Sequence, residues 1–270
     1  MREYDLYIVP TPIGNLGDIT LRAIEVLKSV DIIACEDIRV TQKLLNHYDI
    51  KTKCISYHKF NEKERINKFL MWLDEGKKLA LVSDAGTPLF CDPGAVLVRE
   101  LKEKGYSVTS LAGANAVATF LSSVARDGED FIFVGFLPRS ESQISKLLEK
   151  YIDTDLVFYE SPNRLTDTLE IIKKTRSGAK VVIARELTKV FEEIVEDNVD
   201  NVIEYFKSNI LKGEIVGMVF RNNNKEINEE IITKAKILKS KGYGAKDISI
   251  ILSSINNCNK NEIYKIAQNL

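Results

Sequence analysis

Only two histidines, His47 and His58, occur in the 270 residues, and neither belongs to an H-E-x-x-H run or a His/Cys cluster. That supply argues against an imidazole-built metal centre and against a histidine-based nucleophile triad, so no metal is expected. The four cysteines (Cys35, Cys54, Cys91 and Cys258) form no C-x-x-C pair. They read as packed thiols of a reducing compartment, with neither a disulfide scaffold nor a zinc knuckle. No apolar run approaches the roughly 18–20 residues that a membrane helix needs. The opening Met-Arg-Glu-Tyr-Asp-Leu-Tyr lacks a basic segment followed by a long apolar one, so no secretory signal and no membrane partner are expected. The expected location is the cytoplasm. Charge of one sign is missing too. Lys and Arg number 38 against 39 Asp and Glu, a net charge of −1, without the overall basic signature of a nucleic-acid binder.

What is present is a globular composition, 44% hydrophobic and 29% charged, long enough for about two domains. Short apolar runs at Leu6–Val9, Ile32–Cys35, Leu79–Val82 and Val108–Leu111 read as strands. Between them, Ala23, Val26, Leu27 and Val30, and then Ile66, Phe69, Leu70 and Leu73, repeat with helical period. This alternation predicts βαβ units and a mostly parallel sheet over residues 1–115. A second α/β domain is expected over 116–222, with strands at Phe131–Phe136, Leu156–Tyr159, Lys180–Ala184, Ile194–Val195 and Ile215–Phe220. The helical spacing of Ile144, Leu147, Leu148 and Tyr151 falls between the first two. Arg221-Asn222-Asn223-Asn224 is turn-prone and reads as a linker. Residues 225–270 read as three short helices around 228–240, 244–254 and 260–269, separated by Gly242-Tyr243-Gly244 and Asn256-Asn257-Cys258-Asn259. Eight Lys against five acidic residues make this tail locally basic. It suits either helix-turn-helix contact with nucleic acid or a packing role.

Ligands of open α/β sheets bind beyond the carboxyl ends of the strands, and four such places carry Gly, Pro and small polar residues. The first is Pro10 to Thr20, where Gly14 and Gly17 permit close backbone approach and Asp18 or Thr20 can cap a helix. It is neither a G-x-G-x-x-G nor a P-loop. The second is Ser83-Asp84-Ala85-Gly86-Thr87-Pro88, with Asp92-Pro93-Gly94 just beyond, a loop suited to a ribose-bearing ligand. The third is the small-residue passage from Leu111 to Ala116. The fourth gathers Tyr159 to Arg164, Ala184 to Lys189 and Gly213-Glu214-Ile215. In it, Arg185 and Glu186 follow an apolar strand directly, a place where charges either pair or function.

In order along the chain stand Val9 to Leu16, Glu36-Asp37, Ser83 to Pro88, Phe136-Leu137-Pro138-Arg139, Tyr159-Glu160-Ser161-Pro162 and Arg185-Glu186-Leu187-Thr188-Lys189. Together these motifs resemble the small-subunit ribosomal RNA methyltransferase I family, a branch of the tetrapyrrole methylase superfamily, over about residues 4–220. The tail resembles that family's C-terminal module. The resemblance implies two α/β domains with S-adenosylmethionine in the cleft between them, a homodimer, and 2′-O-methylation of a cytidine ribose in the 16S rRNA of the small ribosomal subunit. It also implies cofactor contacts at Pro12, Asp84, Ala85, Gly86, Thr87, Asn115, Ala116, Tyr159, Glu160, Glu214 and Ile215. The chain departs from the family's usual wording at Ala112-Gly113-Ala114-Asn115, at Ile38 and at Asn163.

Methyl transfer from a sulfonium is an in-line displacement, so the protein's main task is positioning. A ribose hydroxyl is a weak acid and gains from a base. The candidates are Asp37, Glu160, Glu186 and Lys189. Lys189 is favoured, with a pKa lowered by burial and by Arg185, and with Glu186 orienting it. Asn15 and Asp37 are expected on the substrate side, and Arg39, Arg139 and Arg164 at phosphates. Two alternatives remain in view: a methylase of a small tetrapyrrole, and a non-enzymatic module that binds ribosomes or a nucleotide.

Overall fold

The computed structural model describes residues 3–126, 130–207, 212–222, 229–256, 258 and 260–270. The expected linker residues Asn223 and Asn224, the start of the first tail helix at Asn228 and the turn residues Asn257 and Asn259 lie outside them.

The first lobe alternates β1 (Leu6–Ile8), α1 (Leu21–Ser29), β2 (Ile32–Cys35), α2 (Ile38–His47), β3 (Lys53–Ser56), α3 (Glu62–Asp74), β4 (Leu79–Val82), α4 (Ala95–Glu103) and β5 (Val108–Ser110). The five strands lie in the order β3-β2-β4-β1-β5, and every pairing is parallel. Alternate side chains serve opposite faces, as the pleat requires. Ile32, Ala34, Leu79 and Leu81 pack with Phe69, Trp72 and Leu97 of α3 and α4. Ile33, Cys35, Ala80 and Val82 pack with Val26, Leu27 and Leu45 of α1 and α2. The first two crossovers run outward on one face and the last two return on the other. The direction therefore reverses between the adjacent strands β1 and β4, the switch point where such sheets open a crevice.

Strand β3 carries no signal in the sequence reading. It is an edge strand in which Ile55 is the only buried residue, so its apolar pattern is too thin to see.

Helix α5 (Ala116–Ser122) leads into the second lobe: β6 (Phe131–Phe136), α6 (Glu141–Lys150), β7 (Asp155–Glu160), α7 (Pro162–Thr175), β8 (Lys180–Arg185), β9 (Glu193–Asn198), α8 (Val199–Lys207) and β10 (Ile215–Val219). The order is β6-β7-β10-β8-β9, with β6 and β7 parallel and the other pairs antiparallel. One face, with Leu156, Phe158, Val181 and Ile183, is covered by α6, α7 and α8. The other, with Val157, Val182, Val216 and Met218, packs against Val117 and Phe120 of α5 and against Ile13 from the first lobe. The two lobes thus share a core. Buried Asp155, at the start of β7, receives Arg221 N at 2.9 Å and Arg221 Nε at 3.2 Å, and Arg126 stands at 3.5 Å.

The tail folds as α9 (Glu229–Ser240), α10 (Ala245–Asn256) and α11 (Lys260–Asn269), close to the three expected pieces. Ile231, Ala235, Ile248, Leu252, Ile263 and Ala267 give it a core of its own.

Gly217, in the middle of β10, has no room for a side chain. A Cβ there would stand 2.5 Å from Phe158 Cζ and 2.8 Å from Ile183 Cδ1, both in the packed face of the sheet. Gly217→Ala should therefore lower stability by about 1–3 kcal/mol through overpacking. Urea unfolding would read this as a lower midpoint at unchanged slope, and an unchanged midpoint would refute it.

Candidate active site

Three loops of the first lobe are tied into one wall. Thr11 and Gly86 exchange backbone hydrogen bonds, each at 2.9 Å, across the switch point. The Thr11 hydroxyl donates to Ser83 O at 3.1 Å, and the Ser83 hydroxyl donates to the carbonyls of Ala85 and Gly86 at 3.2 Å. Gly86 has φ +77°, a left-handed backbone that glycine adopts without strain. Thr87 Oγ1 donates to Ala114 O at 2.9 Å and so attaches the third loop. Asn115 then starts α5, its Oδ1 accepting Val117 N–H and Ala118 N–H at 3.0 and 3.1 Å.

The second lobe answers with the ends of β7 and β8, the start of β10 and the turn after Arg185. That turn holds two non-glycine residues in the left-handed region, Glu186 at φ 53° and Thr188 at φ 66°. Such residues cost on the order of 1–3 kcal/mol each and persist only where neighbours fix them. Here Glu186 N–H donates to Glu214 O at 2.9 Å, and Glu214 N–H donates to Glu186 Oε1 at 3.0 Å. Lys189 Nζ reaches Glu186 Oε1 at 2.7 Å and Glu214 Oε2 at 3.3 Å. Arg185 Nε donates to Glu193 Oε2 at 3.0 Å. Gly14 of the first lobe seats against this turn, since a Cβ on it would lie 2.7 Å from Thr188 Oγ1 and 2.8 Å from Leu187 O.

Between the lobes lies a cavity of about 450 Å³, a size typical of ligand pockets. Asp84, Ala85 and Thr87 line it from the first lobe, with Asn115 and Ala116 at the start of α5. Tyr159, Glu160, Glu214 and Ile215 line it from the second. Of the remaining expected cofactor residues, Gly86 is buried behind the wall carrying the bridge to Thr11, and Pro12 gives its place on the surface to Ile13. The sequence reading assigned no role to Ile13, Phe90, Asp92, Phe136, Leu187 or Val216, which complete much of the lining. All six fall within or beside the quoted motifs and strands, but only the meeting of the two lobes turns them inward.

The first-lobe wall is acidic. Burial and then repulsion from Glu36 push the Asp92 carboxyl up to about 6, against the opposing effect of the Ser83 hydroxyl and with a smaller contribution from Asp84. Burial and repulsion from Asp37 likewise raise Asp84 from its ordinary value, while the Asp37 N–H it accepts at 3.0 Å works the other way. Glu36 is raised by burial and by Asp84. Burial also raises the Tyr159 phenol, helped by Cys91 and Asp92.

Two expectations are corrected here. Lys189 was to lose basicity. Burial does act in that direction, but the hydrogen bond to Glu186 and the charge of Glu214 outweigh it, and its pKa is raised. Glu186 moves the opposite way: burial raises it, while Lys189 and the backbone of Glu214 bring it below its ordinary value. Arg164 was expected at a phosphate. Its guanidinium instead donates to Leu137 O at 3.2 Å and Pro138 O at 2.5 Å and pairs with Glu160 at 3.3 Å. Glu160 is buried, and a buried carboxylate needs such a partner.

Arg39 is 89% exposed and pairs with Asp37, the cap of α2, whose carboxyl its hydrogen bonds hold down at about 2. Arg139 is exposed beyond β6. Asn15 is exposed and caps the 3-10 turn Leu16–Asp18 through Gly17 N–H at 3.0 Å.

A parallel α/β lobe and a mixed lobe closing on one loop-lined cleft define a methylase fold class. The family model described as Tetrapyrrole (Corrin/Porphyrin) Methylases matches residues 5–203. Among solved structures the chain is similar to a cobalt precorrin-4 methyltransferase, with TM-score 0.60, 18% identity, and coverage of 80% of this chain and 94% of that one. It is also similar to a diphthine synthase, with TM-score 0.64, 14% identity, and coverage of 81% and 90%. At these identities the likeness concerns the fold. Curated relatives are nearer in sequence. The Ribosomal RNA small subunit methyltransferase I of Bacillus subtilis (strain 168) is 43% identical over 227 residues, 83% of this chain and 78% of that protein. The protein of the same name from Vibrio cholerae serotype O1 is 42% identical over 268 residues, 96% and 93% of the two chains. The chain belongs to the tetrapyrrole methylase family, in its ribosomal RNA small subunit methyltransferase I branch.

Because Gly14 meets backbone as well as side chain, Gly14→Ala should push the 185–189 turn off the first lobe. Displacements of about 1 Å around a reacting centre cost on the order of a hundredfold in rate. The expected result is a fall of that size in turnover with little change in melting temperature, and full turnover in the variant would contradict it.

Proposed function

We propose that the chain transfers the methyl group of S-adenosylmethionine to the 2′-oxygen of a cytidine ribose in 16S rRNA, acting as a homodimer on the small ribosomal subunit in the cytoplasm. It is an S-adenosylmethionine-dependent methyltransferase by family. The observation that carries the choice of substrate is identity above 40%, over most of the chain, to proteins named as ribosomal RNA methyltransferases. Among the described residues no helix is long and apolar enough to cross a membrane, and no group of three or more His, Cys, Asp and Glu could hold a metal ion.

The cleft fits this cofactor by its chemistry. Ile13, Leu187 and Val216 offer apolar surface for a nucleoside, while Asp84, Asp92, Glu160 and Glu214 give the same cavity a negative lining suited to a cationic ligand. Bound there, the sulfonium would supply an activated methyl group. The Asn115–Ala116 start of α5 and the Glu214-Ile215 start of β10 would hold its polar ends. Lys189 acts in this reading as a fixed ammonium, kept charged by Glu186 and Glu214 beside the cavity rather than serving as the base. Arg185 and Glu186 are positioning residues that set the turn on which Leu187 enters the lining. The exposed guanidinium groups of Arg39 and Arg139 and the side chain of Asn15 are left for the RNA backbone.

Labelled S-adenosylmethionine with unmodified small subunits should place label on one ribose 2′-oxygen of the 16S rRNA. Label confined to a tetrapyrrole acceptor would replace this reading. Turnover should fall by roughly tenfold or more between about 50 and about 200 mM salt, as phosphate contacts require; salt-indifferent turnover would count against them. Lys189→Met leaves Glu186 and Glu214 unbalanced. It should lower kcat by roughly a hundredfold with cofactor affinity, read by calorimetry, nearly unchanged; an equal loss in affinity would move Lys189 into the cofactor site.

A further inference from the structure

Four carboxylates line the cleft, and three have oxygens already committed. Glu160 accepts Ser161 N–H at 2.7 Å on one oxygen and Thr168 Oγ1 at 2.8 Å on the other, with Arg164 alongside. Glu214 is held by Lys189, and Asp84 accepts the backbone N–H of Asp37. Asp92 differs. Among the described residues only the Ser83 hydroxyl faces it as a hydrogen-bonding neighbour, and it stands in the cavity lining next to Cys91 and across from Tyr159. Lys189 is excluded from proton abstraction by its two carboxylate partners, Glu186 by Lys189, and Asp37 by Arg39.

We propose that Asp92 is the catalytic residue that takes the proton of the acceptor hydroxyl, a role that rests on the methyl transfer proposed above. In that step the hydroxyl oxygen forms its bond to the methyl carbon as the carbon–sulfur bond breaks and its electron pair stays on sulfur. The hydroxyl proton passes to the Asp92 carboxylate and from there to solvent. The product is the methyl ether and the neutral thioether. The groups that face Asp92 support this. Glu36 beyond β2 and Asp84 beyond β4 both repel a second negative charge, Tyr159 stands on β7, and burial adds to the effect, so the carboxylate is a stronger base than an exposed one. His58 and Lys59 lie beyond Glu36 and moderate it. General bases perform best with a pKa near the working pH.

The test compares wild type, Asp92→Asn and Asp92→Glu on unmodified small subunits. Wild-type label on a ribose reads the parent proposal by itself, and the variants read Asp92. Asp92→Asn should lower kcat by about 10²–10⁴-fold with KM for subunits within about twofold, and Asp92→Glu should recover part of the loss. Wild-type kcat/KM should fall as pH drops below about 6, because the base must be ionised, and Asp92→Asn should lose that limb. The carbon-13 resonance of the Asp92 carboxyl in the ligand-free protein should titrate in the same range. A kcat for Asp92→Asn within twofold of wild type overturns the proposal, as does an acidic limb that survives the substitution or a carboxyl that titrates near 4.

Discussion

The reciprocal pair of hydrogen bonds between Thr11 and Gly86 is the contact on which the rest of the site depends. It joins the loops after β1 and β4 where the first sheet reverses direction, so the switch-point crevice has a rigid floor. The Ser83 hydroxyl and Thr87 carry the same bracing to neighbouring carbonyls, and Asn115 converts it into the first turn of α5. Ile13 leaves this brace and enters the core of the other sheet. One short stretch, Pro10 to Gly14, therefore builds the floor, seals the lobes together and receives the 185–189 turn.

The two walls divide the work by charge. The first-lobe wall gathers Glu36, Asp84 and Asp92; Glu36 and Asp84 raise the proton affinity of Asp92, and Asp84 raises that of Glu36. The second lobe pairs Glu160 with Arg164 and shares Lys189 between Glu186 and Glu214, so most of its carboxylate charge is compensated. A cationic ligand lying between them faces more uncompensated negative charge on the first-lobe side, which gives it an orientation as well as an affinity.

Much of this architecture is legible in the residues. The apolar runs at Ile32–Cys35, Leu79–Val82 and Phe131–Phe136 coincide with strands, and the three tail helices fall close to their expected positions. What escapes is information that exists only in three dimensions. Strands β7, β8 and β10 are buried on both faces, so their composition carries no sign of whether a neighbour runs parallel or antiparallel. The direction of the Lys189 shift depends on Glu186 together with Glu214, the latter 25 residues away in the chain. Arg164 looks like a free cation until the burial of its partner Glu160 is known. Asp92 is visible in the sequence as part of a turn, and only the second lobe closing over it turns it into a cavity wall.

The anchoring of Arg221 on Asp155 also has a mechanical side. Arg221 lies between β10 and the tail, and Asp155 is the first residue of β7, whose last residue, Glu160, lines the cleft. Six residues of strand span about 20 Å, and Phe158 is locked midway against Gly217 with no slack. Any pull on the chain at Arg221 is thus delivered to a stiff strand instead of a yielding hinge. That strand ends at Glu160, in the lining of the cleft.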